Sequence, residues 1–465
     1  MSSSRSLGIT ALSCVLCACQ LQDYREKPIE TSQWVQSFEQ RDLSARGLRD
    51  FLAQCGLPSN PWPRSRWEAA GLECAALYYH PDLAKARAAI DVAHAQEHTA
   101  GQKPNPSAAL RLEHQGGDPK AGEPWGIGPQ FDIPIEGSGK RAARIERAVA
   151  ETTVAEIDLE ARIWEVRRSV RDRLLEWQEA RQRLTHAREK LALLDQGESL
   201  LRRRQELGLA STFEVSSMRI DAQRSRLAVS AAQAKANTAI VQLAASMTVP
   251  VTALRSVEID MMPSAATIPG LPGASTLQQQ ALTRRTDIRR ALQEYVVAEK
   301  TLKEEIARQY PDFNFSPGYF FDPTDSINIW SFGVSMVLPM FNRNEGPIAE
   351  AEARRELAAR NVESVQANIV GEVQGAAAGY VELQNALSEA DAVITELNDQ
   401  EQRLQKQFAL GEADRLALVR AQLETAEART SRMDLMIEQQ RALNRLEDAV
   451  QLPLRPELNV NGQKQ

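Results

Sequence analysis

Aromatic residues are scarce, 5% of 465 residues, and the chain has only five His and five Cys. Few aromatics argue against several thick globular cores, where Phe, Tyr and Trp supply much of the buried area. No glycine-rich phosphate loop follows a strand and no nucleophile motif occurs, so no catalytic constellation is legible and the chain reads as a non-enzyme. The formal charge of −7 gives nucleic acid no general reason to bind, and the run Arg202-Arg203-Arg204 reads as a solvated helix face. Past the N-terminus no apolar run reaches 18 residues, so no membrane-spanning helix is expected. What is present is 25% charged residues and 43% hydrophobic ones with Ala prominent, a mixture suited to long helices with thin seams.

Metal chemistry finds weak footing. His94 and His98 stand four apart on a predicted helix and can both touch one metal, but Ala95-Gln96-Glu97 between them makes no zincin motif. A solvated pair is the preferred reading. Met261-Met262 reads as packing, and no metal or cofactor is expected.

The N-terminus is more specific. Arg5 precedes an apolar run from Leu7 to Ala18 that is too short to span a bilayer and fits a signal-peptide core. It ends in Leu16-Cys17-Ala18-Cys19, similar to a bacterial lipobox with Cys19 as the lipidated residue; Cys14 is the weaker candidate. Residues 1–18 are then a lipoprotein signal peptide, and the mature chain is exported and anchored. Cys55 and Cys74 remain; they can pair in an oxidising compartment or stay as free buried thiols.

From Val362 to Leu404 apolar or small residues recur at alternating spacings of three and four, with Glu372 and Gln400 filling steps. A seven-residue repeat held this long predicts a long helix with one narrow buried seam, around which the rest of the chain is expected to pack. Leu410-Gly411-Glu412-Ala413-Asp414 interrupts it. A second seam then runs through Leu416, Val419, Leu423, Thr430, Met433 and Ile437. Glycine ends the first helix and Asp414 caps the next, giving an antiparallel hairpin whose first arm, from about Asn344 to Leu410, is roughly 100 Å long.

The pattern is written twice. Asp82, Pro106 and Pro134 recur as Asp287, Pro311 and Pro339 at an offset of 205; Gly208 and Pro250 recur as Gly411 and Pro453 at 203. Each copy reads as helix, two strands, very long helix, glycine turn, long helix. The expected organisation is an N-terminal segment over 19–75, polar and irregular to about Trp67 apart from a helix near 45–54, a first repeat over 76–262, a linker over 263–275, a second repeat over 276–454 and a polar tail over 455–465.

The strands alternate. Phe313, Phe315, Pro317, Tyr319 and Phe321 face away from Asn314, Ser316 and Gly318, with Phe320 breaking the pattern; Trp330, Phe332, Val334, Met336 and Leu338 alternate with Ser331, Gly333 and Ser335. Leu110 and Leu112, then Phe131, Ile133 and Ile135, do the same in the first copy. Such strands fit a transmembrane β-barrel wall, with Phe315, Tyr319, Phe332, Val334 and Met336 toward lipid. Four strands cannot close a barrel, so closure takes more than one chain.

A lipobox-like start, a duplicated helix-strand-strand-helix-helix plan and the tips Leu207-Gly208-Leu209-Ala210-Ser211 and Leu410-Gly411-Glu412-Ala413-Asp414 together resemble the TolC-like outer-membrane factor family. The stretch Gly137-Ser138-Gly139-Lys140-Arg141-Ala142-Ala143-Arg144 is similar to the turn by which its CzcC-like heavy-metal branch enters the long helix. The resemblance implies an α+β chain of duplicated helical hairpins, a homotrimer with a 12-stranded barrel in outer-membrane lipid, and a helical tunnel across the periplasm. It implies an exit duct for a tripartite efflux pump, exporting small molecules or metal ions, with a periplasmic adaptor and an inner-membrane transporter of RND or ABC type as partners. A type I secretion duct is the alternative inside the family; a non-conducting envelope lipoprotein is the alternative outside it. A periplasmic adaptor fits poorly, because it carries one hairpin, not two.

By the same resemblance the tips, Gly208, Leu209, Ala210, Ser211 and Thr212 with Gly411, Glu412, Ala413 and Asp414, are the adaptor-binding surface. Family members often narrow this end with charged rings. Here Arg415, Arg420 and Glu424 follow the second tip, making a basic or mixed ring the candidate gate and leaving an outer-face position for them equally open.

Overall fold

The structure, a computed structural model, describes residues 22–58, 60–114, 125–137, 139–260, 271–322 and 326–454. Cys19, the Met261-Met262 pair, Ser138, most of the linker and the polar tail lie outside the described residues. Residues up to Arg41 form one unit and those from Asp42 another. The first contains α1 (Thr31–Glu39), which buries no residue.

In the second unit α2 (Arg46–Gln54), strand β1 (Arg66–Trp67) and α3 (Ala69–Tyr79) come first. Then follow α4 (Pro81–Gly101), β2 (Ser107–His114), β3 (Trp125–Ile135), α5 (Lys140–Glu206), α6 (Thr212–Ser246), α7 (Val251–Arg255) and β4 (Glu258–Ile259). The second copy supplies α8 (Ala274–Arg284), α9 (Thr286–Ala307), β5 (Phe313–Asp322), β6 (Ile327–Met336), α10 (Glu345–Ala409) and α11 (Arg415–Val450).

The duplication extends to backbone detail. Both long helices start from a left-handed residue 205 positions apart, Gly139 at φ 75° and Asn344 at φ 61°. Asparagine is among the few non-glycine residues that tolerate this conformation, and here its amide also donates to the Glu305 carbonyl at 2.8 Å. At 67 residues α5 is about 100 Å long.

The packing centre differs from the expected one. α5 is flanked by α4 and α6 on one side and by α9 and α11 on the other, whereas α10 packs only beyond α9 and α11 and against α8. Ala351, Ile369, Val373 and Tyr380 are the buried residues of α10, and Glu372 and Gln400 are exposed. A period of seven reports that a helix has a seam, not how many neighbours share it. With one flank covered, α10 is the edge helix, and α5, with Val170, Trp177 and Leu184 buried on its own seven-residue register, is the centre.

Residues 42–67 are also more ordered than their polar sequence predicts. Leu43, Leu48, Leu52 and Trp67 enter one core with Leu72, Leu174, Leu243, Met247 and Leu254. A Cys55–Cys74 disulfide with a Cα separation of 6.6 Å ties α2 to α3, and β1 pairs in parallel with β4 through Trp67 and Ile259. The disulfide and the strand pair hold the collar together, and α3 packs it against α5 through Leu72 with Val170 and Leu174. A smaller core, with Leu277, Ile288, Ile369, Val373 and Leu446, seats α8 on α10 and α11.

Charge fills the junction between the copies. Glu146 meets Lys300 at 2.9 Å, Asp158 meets Arg290 at 2.8 Å, Arg183 meets Asp434 at 2.8 Å and Lys190 meets Glu427 at 2.7 Å, all between α5 and α9 or α11. Midway, Arg171 is buried between two carboxylates: its Nε donates to Glu73 Oε1 at 3.0 Å and its Nη1 to Glu447 Oε2 at 2.8 Å. This triad joins α3, α5 and α11.

The four long strands form one antiparallel sheet in the order β2-β3-β5-β6. Cross-strand partners share a face and neighbours along a strand alternate. Phe315 stands opposite both Val334 and Ile133, Pro317 opposite Phe332, Tyr319 opposite Trp330, and Leu112 opposite Ile127. One face is therefore apolar across all four strands, and the other carries Arg111, Gln130, Asp132, Ser316, Ser331 and Ser335. Phe320, out of place on the polar face, lies over two glycines of β3: a Cβ on Gly126 would strike its ring, and one on Gly128 would strike the Tyr319 carbonyl. The Arg111 guanidinium covers that ring at 5.5 Å.

Candidate functional site

Two features at opposite ends of α5 and α10 carry the functional signal, the hairpin tips and the sheet. The tips share one construction. Leu209 N donates to Arg204 O at 2.8 Å and Gly208 N to Gln205 O at 2.9 Å; Glu412 N donates to Gln407 O at 2.8 Å and Gly411 N to Phe408 O at 3.0 Å. This paired bonding ends each helix on a glycine in the left-handed region, Gly208 at φ 73° and Gly411 at φ 77°.

The caps that follow differ. Ser211 and Glu214 form a reciprocal capping box, Ser211 N donating to Glu214 Oε2 at 2.8 Å and Glu214 N to Ser211 Oγ at 3.2 Å. The Ser211 bonds hold the Glu214 carboxyl below its ordinary range. At the second tip Asp414 accepts from Leu416 N at 3.3 Å. Asp414 also pairs with Arg204, so that this arginine, expected to be solvated with its neighbours, bridges the two tips. Leu201, Val215 and Leu416 bury together beneath the bridge with Ala210 against them. The structure thus brings both predicted tips to one place.

The exposed surface there is apolar on the first tip, with Leu207, Leu209 and Phe213 open to solvent, and mixed on the second, with Leu410, Glu412 and Asp414. Thr212 and Gly411 are exposed and Ala413 half-buried. Of the candidate gate residues, Arg415 lies over the Phe408 ring at 5.6 Å, Arg420 is close enough to Glu214 to favour its charge, and Glu424 is exposed one turn further on.

A charged groove of about 620 Å³ lies at mid-helix, lined by Trp164, Arg168, Arg285, Glu372, Arg445 and Asp448 among others. Burial pushes the Asp448 carboxyl up to about 6, against Arg168 and with Asp172 adding to the rise. A folded-state value above the unfolded one means that this group's stabilising contribution is complete below about pH 4 and is lost as pH rises toward 6. The helical arginines and carboxylates of this region resemble solvated faces in the sequence, where only Glu372 stands in a seam register.

His94 and His98 are exposed, and His94 Nδ1 lies 3.4 Å from Glu97. Among the described residues no group of three His, Cys, Asp or Glu side chains is placed to hold a metal ion. No described helix is long and apolar enough to cross a membrane.

At the sheet, the five residues expected to face lipid, Phe315, Tyr319, Phe332, Val334 and Met336, share the apolar face. Near the strand ends farthest from the helices that face carries ring pairs, His114 with Trp125 at 4.7 Å and Tyr319 with Trp330 at 4.9 Å. Strands β2 and β6 have no pairing partner on their outer edges among the described residues.

The model of the outer membrane efflux protein family matches this chain twice, over residues 75–248 and 277–450. The chain belongs to that family. A cobalt-zinc-cadmium resistance protein, CzcC of Cupriavidus metallidurans, is 27% identical over 224 residues, covering 48% of this chain and 52% of that relative. The match thus spans about half the length of that relative.

Solved structures of outer membrane channels share the fold. The Vibrio cholerae outer membrane protein VceC superposes with a TM-score of 0.66 at 18% identity, covering 83% of this chain and 97% of that one. CusC gives 0.65 at 19%, covering 82% and 91%. The Neisseria gonorrhoeae MtrE channel in its open state gives 0.64 at 15%, covering 85% and 91%. As in that family, the chain is mostly helical with a small set of strands.

Proposed function

We propose that three copies of this chain form an exit duct in the outer membrane, serving a tripartite efflux pump. Each copy contributes four strands to a 12-stranded barrel and its long helices to a tunnel through the periplasm. The observation that carries this reading is the sheet: one face apolar across four strands, the other mainly polar, both outer edges unpaired among the described residues, rooted on helices of about 100 Å. A half-buried sheet in a soluble protein covers its apolar face with its own chain; here Phe332, Val334 and Trp330 stay open. Closing the edges with further copies gives a wall that is apolar outside and polar inside, as a bilayer demands. Divalent metal ions are the favoured cargo, on the likeness to CzcC. Planar-bilayer conductance of the purified protein tests the duct, since a non-conducting envelope rod gives none.

The tips are the docking surface for a periplasmic adaptor that joins the duct to an inner-membrane transporter of RND or ABC type, and Arg415, Arg420 and Glu424 border the tunnel mouth. Trp at Gly208 and Gly411 is expected to abolish most export while trimer formation and conductance persist. Each glycine has a positive φ, so a loss of about 1 kcal/mol in turn stability accompanies the change, and trimer melting on the same variants separates the two effects. Undiminished export with an intact trimer means the tips are not the docking surface.

Cys19 is the lipid-anchored N-terminus of the mature chain. Mass spectrometry of that terminus is expected to show acyl mass on Cys19. Cys19→Ala should remove it and weaken anchoring while the barrel still assembles, and cleavage at another position rules the assignment out.

A further inference from the structure

The two copies leave the sheet differently. At an offset of 205, where the first copy has Asp132, Glu136 and Ser138, the second has Val337, Phe341 and Arg343. The acids of the first copy are engaged: Asp132 accepts from Ser316, and Glu136 pairs with Arg144. Their counterparts touch little. Val337 is 80% exposed, Leu338 59%, Met340 70% and Phe341 101%, so this short connection stays as open as the apolar face of β6 above it, and Phe341 more so.

Pro339 has no N–H to extend the ladder, and Met340 N folds back onto Leu338 O at 2.8 Å. The turn leaves Met340 and Phe341 projecting at the helix-side rim of the sheet, continuous with the apolar face that ends at Met336. Arg343 follows, exposed and without an ion pair among the described residues. An apolar wedge followed by a free cation is the side-chain order of a membrane surface read from acyl chains to phosphate.

We propose that residues 337–343 are a lipid-binding wedge: Leu338, Met340 and Phe341 enter the acyl boundary of the leaflet facing the periplasm, and Arg343 meets a phospholipid phosphate. This rests on the reading that the sheet crosses a membrane. The first copy has Ile133 and Ile135 where the second has Leu338 and Met340, but Glu136 and Ser138 where the second has Phe341 and Arg343, so it lacks the tip of the wedge and its cation. Each chain is thereby gripped on one side of its strand pair, beside β6.

Nitroxide labels on Phe341→Cys and on Phe332→Cys test this in the full chain, reconstituted in vesicles of phosphatidylethanolamine and phosphatidylglycerol, with the parent chain's own labelling subtracted. Dissolved oxygen is expected to relax both labels more strongly than a water-soluble nickel chelate, and the label at 341 is expected to report a shallower depth than that at 332. Nickel-dominated relaxation at 341 with oxygen-dominated relaxation at 332 overturns the wedge and leaves the barrel reading standing. Protection of 341 from both reagents shows that a second copy covers it, which also overturns the wedge. Nickel-dominated relaxation at both sites removes the membrane reading and the wedge together.

Discussion

Arg171→Ala is expected to destabilise the folded protomer by about 3–5 kcal/mol, the usual consequence of removing one partner from a buried ion pair. The Arg171 side chain is 4% exposed, that of Glu73 8% and that of Glu447 0%. Burial opposes the guanidinium's charge, but Glu73 and Glu447 hold it firmly protonated. Without it Glu73 keeps an attraction to Arg167 and Glu447 keeps the Leu454 N–H at 3.0 Å, but the cation that stood between the two buried carboxylates is gone.

Two buried carboxylates are then left without the guanidinium that paired them, and that uncompensated burial is the source of the loss. Thermal melting at pH 8 checks the size. Replacing all three residues together, Glu73→Leu, Arg171→Met and Glu447→Leu, should recover most of the loss, since an apolar set of similar volume avoids the desolvation of three charges. A single variant that melts with the parent at pH 8 means that the triad does not hold α3 and α11 onto α5.

That triad also shows where sequence reading stops. Glu73, Arg171 and Glu447 lie 98 and 276 positions apart along the chain, and no local period connects them. Val170 beside Arg171 was legible as a seam position because apolar residues advertise burial by spacing; a charged residue on the next position looks like solvated face until its partners are known. The collar was misread for a related reason: Trp67 is buried in a core and a strand pair that its polar neighbours do not announce.

The tips were legible for the opposite reason. A glycine between two seven-residue registers has one economical explanation, a left-handed helix end, and both Gly208 and Gly411 adopt it. Strand alternation likewise placed Phe315, Tyr319, Phe332, Val334 and Met336 on one face, because a period of two leaves no choice once the register is set. The register in turn explains Phe320, which no alternation predicts: Gly126, facing it without a Cβ, makes room for its ring on the polar side.

Phe332→Arg should block or sharply reduce assembly of the trimer into membranes, at a cost of about 2–4 kcal/mol if this position sits near the bilayer centre. Phe332 lies at the middle of β6, opposite Pro317, with Trp330 and Val334 beside it on the same apolar face. On the bilayer reading, a guanidinium there meets acyl chains and no water. Val334→Arg, one pair closer to the helix-side rim, should cost less, because a long side chain can carry its charge to the headgroups. Ser331→Arg supplies the control. Ser331 neighbours Phe332 in sequence but faces the polar side, opposite Gly318, where an arginine has room and solvent. Membrane-fraction yield and heat resistance of the trimer should therefore rank Ser331→Arg nearest the parent, Val334→Arg intermediate and Phe332→Arg lowest. Equal tolerance of all three would mean that both faces of the sheet meet water, and the chain would then have no wall to place in a bilayer.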